Sequence, residues 1–170
     1  MTVEKDNVDI VGSKEESNWY VFYVNAKHER KVEKLLIRDG YECYLPLVTT
    51  LKQWKHRKKH VEEPLFKSYI FIRIKKNQIY DVLQTPSLIT YIRFNGEPAV
   101  VPNEQILLIA ELIKNKTKFT VSTEKVKVGE LLTLKTGPFE GYKGVVKEIR
   151  GKKKVLVVLT AIDFTLEIEM

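Results

Sequence analysis

The stretch KQWKHRKKHVEEPLFKSYIFIRI, residues 52–74, begins with a dense basic run and ends with an almost unbroken apolar strand. The strand-like segment YECYLPLVTTLKQW leads into it, so the basic letters KHRKKH are predicted to connect two strands of a β-hairpin. Because side chains alternate across a strand, residues 65–74 are predicted to form two faces. The predicted core face holds Phe66, Ser68, Ile70, Ile72 and Ile74, and the opposite face holds Leu65, Lys67, Tyr69, Phe71 and Arg73.

Outward from this hairpin, the chain alternates between strand patterns and helix patterns. WYVFYVN is β-branched and aromatic, and AKHERKVEKLLIRDG, NQIYDVLQT and NEQILLIAELIK have helical spacing. The order β-α-β-β-α-β plus one helix predicts an α+β fold of the ferredoxin-like split βαβ type, with an antiparallel sheet and helices on one face. After residue 128, short strands separated by Gly-containing turns predict a small β-barrel.

These patterns predict how the chain is divided. We expect a flexible tail at 1–17, an α+β domain at 18–114, a polar linker at 115–124 and a barrel domain at 125–170. The barrel segment is rich in Val, Ile and Thr, which favours strands over helices.

Composition narrows the class of protein. Lys and Arg number 29 against 22 Asp and Glu, which gives a net charge of +7 and indicates polyanionic partners. No apolar run approaches the ~18 residues of a membrane span, and the N-terminus lacks a signal-peptide pattern, so we expect a cytoplasmic protein that does not enter membranes. The single Cys43 excludes an internal disulfide and is expected to be a small core residue.

Catalytic and metal motifs are not found in the sequence. It has no Gly-rich phosphate loop and no nucleophile–base pair, so we expect no enzyme activity and no cofactor. His56 and His60 are four residues apart, but no cluster of Cys or carboxylates completes a metal site around them.

The face that contains Tyr69 and Phe71 has aromatic side chains between the cations Lys67 and Arg73. If helices cover only the other side of the sheet, this side meets water and should be polar. An apolar patch with a charged rim is typical of a protein-docking surface. The alternative is that the C-terminal domain, a terminal helix or another strand covers these rings, and the residues leave both possibilities open.

The hairpin connection combines cations with an aromatic residue and contains no acid. Five Lys or Arg and two His lie between Lys52 and His60. This composition suits a single nucleic-acid strand, which is held by phosphate attraction and base stacking. The alternative is a hairpin tip that charge keeps soluble. The candidate residues are Trp54, Lys55, His56, Arg57, Lys58, Lys59 and His60.

Several motifs in sequence order resemble the NusG family of transcription elongation factors. The likeness is closest to its specialised RfaH-like branch, which includes the UpxY-like proteins of capsular polysaccharide operons. NWYVFYV is similar to the family's first strand, EEPLFKSYIFIRI to the strand after its PLF motif, YIRFNGEPAVVP to the following segment and KVGELLTLKTGPFEGYKGVVKEI to its KOW motif. The resemblance spans residues 19–168 and implies an N-terminal NGN domain followed by an SH3-like KOW barrel.

What the resemblance implies is a non-enzymatic factor that suppresses pausing and termination. Its NGN domain would bind the clamp helices of the largest RNA polymerase subunit through Leu65, Phe66, Tyr69 and Phe71. The displaced non-template DNA strand would contact the hairpin tip together with Lys27, Arg30 and Lys31. Lys67 stands where the family usually has Pro, so the turn before the strand differs.

The KOW motif is matched by Gly137, Pro138, Phe139, Gly141 and Gly144. The resemblance implies that this domain contacts the ribosome or a termination factor, that the protein is a monomer, and that it serves particular operons such as those for surface polysaccharides. An alternative function is that of an RNA-binding or ribosome-associated KOW protein, because basic hairpins and KOW barrels also occur there.

Overall fold

A computed structural model describes residues 16–123, 132–133, 143–149, 152–159 and 161–169. The helices are α1 Glu29–Arg38, α2 Ile79–Val82 and α3 Asn103–Lys114, and a 3-10 turn at Lys76–Gln78 precedes α2. The strands are β1 Asn18–Val24, β2 Glu42–Tyr44, β3 Leu47–Trp54, β4 Arg57–Pro64, β5 Tyr69–Ile74, β6 Leu88–Tyr91, β7 Arg93–Phe94, β8 Glu97–Pro98, β9 Val100–Val101, β10 Phe119–Ser122, β11 Leu132–Thr133, β12 Lys143–Ile149, β13 Lys152–Leu159 and β14 Phe164–Glu169. Nearly all of the predicted tail lies outside the described residues.

The N-terminal sheet is antiparallel, with the spatial order β2-β5-β1-β6, and β9 also pairs with β1. Most of β1 is buried, as expected for a strand rich in aromatic and β-branched residues. Its register places Tyr20 opposite Ile72 and Phe22 opposite Ile70, and such aromatic–β-branched pairs stabilise a sheet. The predicted α+β fold class is confirmed.

Both faces of the N-terminal sheet are covered. On one face, α1 and α2 pack against a core that includes Phe22 and Ile72. On the opposite face, the buried side of α3, with Ile109 at its centre, packs against Trp19 and Val21. The two helices of the split βαβ unit therefore share one face, and the additional helix α3 covers the second face, which is one of the alternatives that the sequence left open.

The basic hairpin is a two-stranded unit of its own. β3 pairs with β4 and with no strand of the main sheet, so the strands predicted as continuous are each divided in two. One division falls at Pro46, whose carbonyl oxygen accepts a hydrogen bond from the Leu65 N–H at 2.8 Å. The other falls at residues 65–68, where Ser68 adopts a left-handed backbone conformation with φ +66°. Strand alternation therefore begins only at Tyr69.

The described C-terminal strands form a five-stranded antiparallel sheet with the order β10-β14-β13-β12-β11. This agrees with the predicted preference for strands. The predicted flexible linker is wrong in part, because Phe119–Ser122 is a strand in which Phe119 pairs with Ile168 and Val121 with Leu166. Of the predicted KOW residues, Gly144 lies in β12 opposite Leu132, and the other four lie outside the described residues. Among the described residues, no helix is long and apolar enough to span a membrane.

Candidate docking face and nucleic-acid interface

The four residues predicted to bind polymerase lie together in one aromatic cluster. Phe66 and Phe71 are 2% and 1% exposed, and Leu65 and Tyr69 are half-buried beside them. The rings of Phe66 and Phe71 meet edge to face, with centroids 5.9 Å apart. We call this cluster of Leu65, Phe66, Tyr69 and Phe71 the docking face. Its members share one side of the sheet, although Phe66 was predicted on the other side.

The C-terminal sheet covers the docking face. Phe164, the first residue of β14, has its ring centroid 5.5 Å from that of Phe66 and 6.2 Å from that of Tyr69. Leu159 and Leu166 of the same sheet belong to the same buried cluster. The expectation that Tyr69 and Phe71 stand on an uncovered face is therefore wrong in this conformation. The alternative left open by the sequence, coverage by the C-terminal domain, is the arrangement observed.

One polar contact joins α3 to the C-terminal sheet within this apolar interface. The Gln105 side-chain N–H donates a hydrogen bond to the Val158 carbonyl oxygen at 3.2 Å. The Gln105 side-chain oxygen is buried and has no hydrogen-bond partner among the described residues.

Sequence reasoning missed Tyr23 and Tyr44, which extend the docking face. Tyr23 lies opposite Tyr69 in the β1–β5 register, and their rings meet edge to face at 5.6 Å. The ring of Tyr44 lies 6.4 Å from Phe71, and burial raises the pKa of Tyr44 to about 12. Tyr23 is 38% exposed and marks the open edge of the face. Tyr23 lies two residues after Val21 in β1 and therefore on the same side of the strand, and this spacing could have predicted its place on the face.

A buried carboxylate fixes the bend that leads into the docking face. Glu29, the first residue of α1, is 5% exposed, and its Oε1 accepts a hydrogen bond from the Ser68 N–H at 2.8 Å. The Ser68 carbonyl oxygen in turn accepts a hydrogen bond from the Val24 N–H at 2.8 Å. The left-handed Ser68 is thus held on both sides. Because Phe66 and Tyr69 lie within two residues of Ser68, Glu29 positions the docking face from the start of α1.

The β3–β4 hairpin places its cations and its indole in solvent. Residues 51–60 are all exposed, and Trp54 is 58% exposed. In the hairpin register Trp54 lies opposite Arg57 and Lys52 opposite Lys59, so these four side chains share one face. A ring beside cations on one face is the arrangement that holds a stacked base and its phosphates.

Two carboxylates of β4 neutralise part of the positive charge of the hairpin and connect it to α1. Lys52 forms an ion pair with Glu63, and this contact lowers the pKa of the Glu63 carboxyl below its usual range. Arg30 of α1 forms an ion pair with Glu62 at 2.8 Å. The tip cations, which are Lys55, Arg57, Lys58 and Lys59, have no ion pair with any carboxylate of the described residues. Positive charge is therefore concentrated at the tip and along α1.

Lys27 and Lys31, predicted to accompany the hairpin, are exposed at the start of α1. Lys27 adopts a left-handed conformation with φ +67° in the turn before the helix.

Within the described part of the chain, no group of three or more His, Cys, Asp or Glu could hold a metal ion. Cys43 is half-buried, and burial raises the pKa of its thiol to about 11.

Comparison with known proteins identifies relatives along nearly the whole chain. The family model described as "Transcription termination factor nusG" matches residues 17–110, more than half of the chain. The transcription termination/antitermination protein NusG of Rickettsia felis is 26% identical over 168 residues, which cover 92% of this chain and 88% of that protein. The NusG protein of Borreliella burgdorferi is 24% identical and covers 85% of this chain and 89% of its own length. A solved structure of Thermotoga maritima NusG covers 90% of this chain at 24% identity, with a TM-score of 0.47.

Proposed function

The chain belongs to the NusG family, and we propose that it is a transcription elongation and antitermination factor that binds the clamp helices of the largest RNA polymerase subunit through the docking face. NusG proteins are transcription factors and not enzymes, so the expectation of no enzyme activity is confirmed. The observation that carries the proposal is the convergence of Leu65, Phe66, Tyr69 and Phe71 on one aromatic cluster. In the proposal, residues 18–114 dock on polymerase and residues 125–170 form the KOW domain.

Binding through the docking face requires the C-terminal sheet to move aside. Fully exposing a buried Phe costs about 1.5–3 kcal/mol, so uncovering Phe66, whose ring lies against that of Phe164, costs up to about this much without a partner. The open state is then a minor population, and the apparent affinity for polymerase falls in proportion to its fraction. A helical partner that buries the same rings replaces the contacts of Phe164 and shifts the population towards the open state.

The hairpin is proposed to contact the displaced non-template DNA strand while the docking face holds the polymerase. Trp54 offers a stacking surface, and Arg57 and Lys59 on the same face offer phosphate contacts. Because the hairpin is exposed in the closed conformation, it can meet nucleic acid before the domains separate. Its position beside α1 extends the basic surface to Arg30 and Lys31.

We further propose that this protein serves particular operons, such as those for surface polysaccharides, and not transcription in general. The likeness of EEPLF and YIRFNGEPAVVP to the RfaH-like branch supports this. Mapping its chromosomal occupancy by immunoprecipitation tests the point. We expect occupancy on a few long transcription units. Occupancy on most transcribed genes would instead indicate a general factor.

The alternative is an RNA-binding or ribosome-associated KOW protein. The observation that favours it is the accessibility of Trp54 and the tip cations while the docking face is covered. It predicts tight RNA binding without polymerase. Polymerase-dependent recruitment combined with weak binding to free RNA would exclude it.

The docking proposal is tested by retention of the full chain on an immobilised clamp-helix fragment. Tyr23→Ala/Tyr69→Ala and its control are made in the Phe164→Ala chain, so that loss of the Tyr69–Phe164 contact does not itself open the protein, and the double change leaves the buried Phe66 and Phe71 in place. Truncating such interface aromatics costs about 2 kcal/mol or more, so we expect at least a tenfold loss of affinity. The matched control is Tyr80→Ala, since Tyr80 lies on α2 and is 67% exposed. Equal retention of both variants would remove the docking face from the proposal.

A further inference from the structure

The connection between α3 and the C-terminal sheet is short. α3 ends at Lys114 and β10 begins at Phe119, so only residues 115–118 join them along the chain. The three Cα–Cα steps from Asn115 to Lys118 span at most about 11 Å, which is about the diameter of one helix. The C-terminal sheet therefore cannot leave the docking face on a long tether, and it has to rotate about this connection.

Both ends of the connection are fixed by backbone hydrogen bonds. At the first end, the Asn115 N–H donates to a carbonyl oxygen in the last turn of α3 at 2.9 Å. At the second end, the Lys118 carbonyl oxygen accepts a hydrogen bond from the Glu169 N–H at 3.0 Å, which continues the β10–β14 pairing. Lys116 and Thr117 lie between these fixed ends, and we call them the hinge pair.

The hinge pair ends α3 in a left-handed turn. Lys116 has φ +50°, and its N–H donates to the Ile113 carbonyl oxygen at 3.2 Å. The Thr117 N–H donates to the Leu112 carbonyl oxygen at 3.0 Å. These two bonds form a Schellman motif, in which the left-handed position is usually Gly. The Cβ of any other residue lies too close to the following carbonyl oxygen there, so Lys116 is strained.

Packing on both sides of the hinge pair maintains this strain. Ile109 of α3 lies in the buried cluster that contains the docking face, and Phe119 and Val121 of β10 pack against the same cluster. The closed interface therefore fixes the direction in which the chain leaves α3. If the C-terminal sheet rotates as a unit, the backbone angles that change are those of the hinge pair, as in other hinges that consist of a few residues at the end of an element.

We propose that the C-terminal sheet swings off the docking face at the hinge pair, and that opening releases the backbone strain at Lys116. The inference rests on the proposed docking of polymerase and adds how the docking face is uncovered. In the closed state the contacts of Phe164 with the docking face hold the strained turn in place. The ratio of open to closed molecules therefore depends on one backbone position as well as on apolar burial.

Separation of β10 from β14 is a less favourable route to the open state. β10 pairs with β14 over four residues, Phe119–Ser122, and the Lys118 bond extends this pairing. Peeling β10 away would break that ladder and leave β14 as an unpaired edge of the described sheet. Rotation at the hinge pair breaks only the two hydrogen bonds of the helix end and relieves strain at the same time.

The test measures the open and closed populations directly, without polymerase. Spin labels on Asp81→Cys in α2 and Thr120→Cys in β10, both exposed positions, report the distance between the two sheets by pulsed electron paramagnetic resonance. Cys43→Ser removes the native thiol. The labelled chain also carries Phe164→Ala, which removes a ring that holds the sheet on Phe66 and so raises the open population to a measurable level.

Three substitutions of Lys116 separate strain from charge. Lys116→Gly removes the Cβ and should lower the ratio of open to closed molecules about threefold to fivefold, after allowance for the larger backbone entropy of Gly. Lys116→Asn should lower the ratio as well, because Asn tolerates the left-handed conformation and lacks the extra freedom of Gly. The matched control is Lys116→Ala, which removes the charge but keeps the Cβ and should leave the ratio unchanged.

Equal populations in Lys116→Gly and Lys116→Ala would overturn the hinge. Titration of the same variants, without spin labels, with a clamp-helix fragment tests the docking proposal separately. We expect the affinity for the fragment to fall in parallel with the open population. If the open population falls and the affinity does not, the docking proposal fails while the hinge at Lys116 stands.

Discussion

Phe164 keeps the docking face covered, and its removal should expose that face to polymerase. Its ring contacts Phe66 and Tyr69 across the interface between the two sheets. Complete burial makes a Phe→Ala change cost about 3–5 kcal/mol, and for the half-buried Phe164 we take ~2 kcal/mol. If all of this is lost from the closed state alone, the ratio of open to closed molecules rises about 30-fold.

The assay is titration of a labelled clamp-helix fragment with the full-length chain, wild type or Phe164→Ala. While the closed state dominates, the apparent affinity should rise by up to about 30-fold in the variant. Phe94→Ala is the matched control, since Phe94 is 63% exposed in β7. Circular dichroism confirms that both variants retain their strands. An unchanged or lower affinity of a folded Phe164→Ala protein would refute the argument that the C-terminal sheet limits docking.

Other consequences concern the hairpin, the bend before β5 and the thiol. Trp54→Ala should weaken single-strand binding by about 1–3 kcal/mol in a fluorescence titration, because a stacked base loses its partner, whereas Leu51→Ala, equally exposed on the other hairpin face, should not. Glu29→Ala should lower the free energy of unfolding, measured in urea, by about 1–3 kcal/mol, because the Ser68 N–H loses its acceptor. Glu29→Gln keeps an acceptor oxygen and should lower it less. Equal effects of the two changes would contradict this role of Glu29. Burial raises the pKa of the Cys43 thiol to about 11, so alkylation of Cys43 should be slow at pH 8.5 and accelerate only towards pH 11. In urea the thiol should react at the ordinary rate. Fast alkylation of the folded protein at pH 8.5 would contradict the burial of Cys43.

The sequence predicted the elements of the fold better than their contacts. Period-2 alternation correctly assigned Ile70 and Ile72 to one face and Tyr69 and Phe71 to the other, because β5 is regular from its first residue. It failed for Phe66, since the left-handed Ser68 interrupts the alternation, and a positive φ at Ser cannot be read from residue type.

Burial of the docking face depends on a contact that local patterns do not encode. Alternation tells which side chains share a face, but Phe164 reaches Phe66 from the far end of the chain. The strand Phe119–Ser122 was missed for a related reason: its polar neighbours conceal it, and pairing with β14 stabilises it. The exposure of the hairpin, by contrast, was predictable, because a run of charged side chains cannot be buried in a hydrophobic core.

The most direct test replaces Tyr69 with a photo-crosslinking phenylalanine analogue in the full-length protein. Without polymerase, crosslinks should form to β14, because the Phe164 ring lies 6.2 Å from that of Tyr69. With polymerase added, the crosslinks should move to the clamp helices of its largest subunit. Crosslinks that stay within the chain while polymerase is bound would contradict the account.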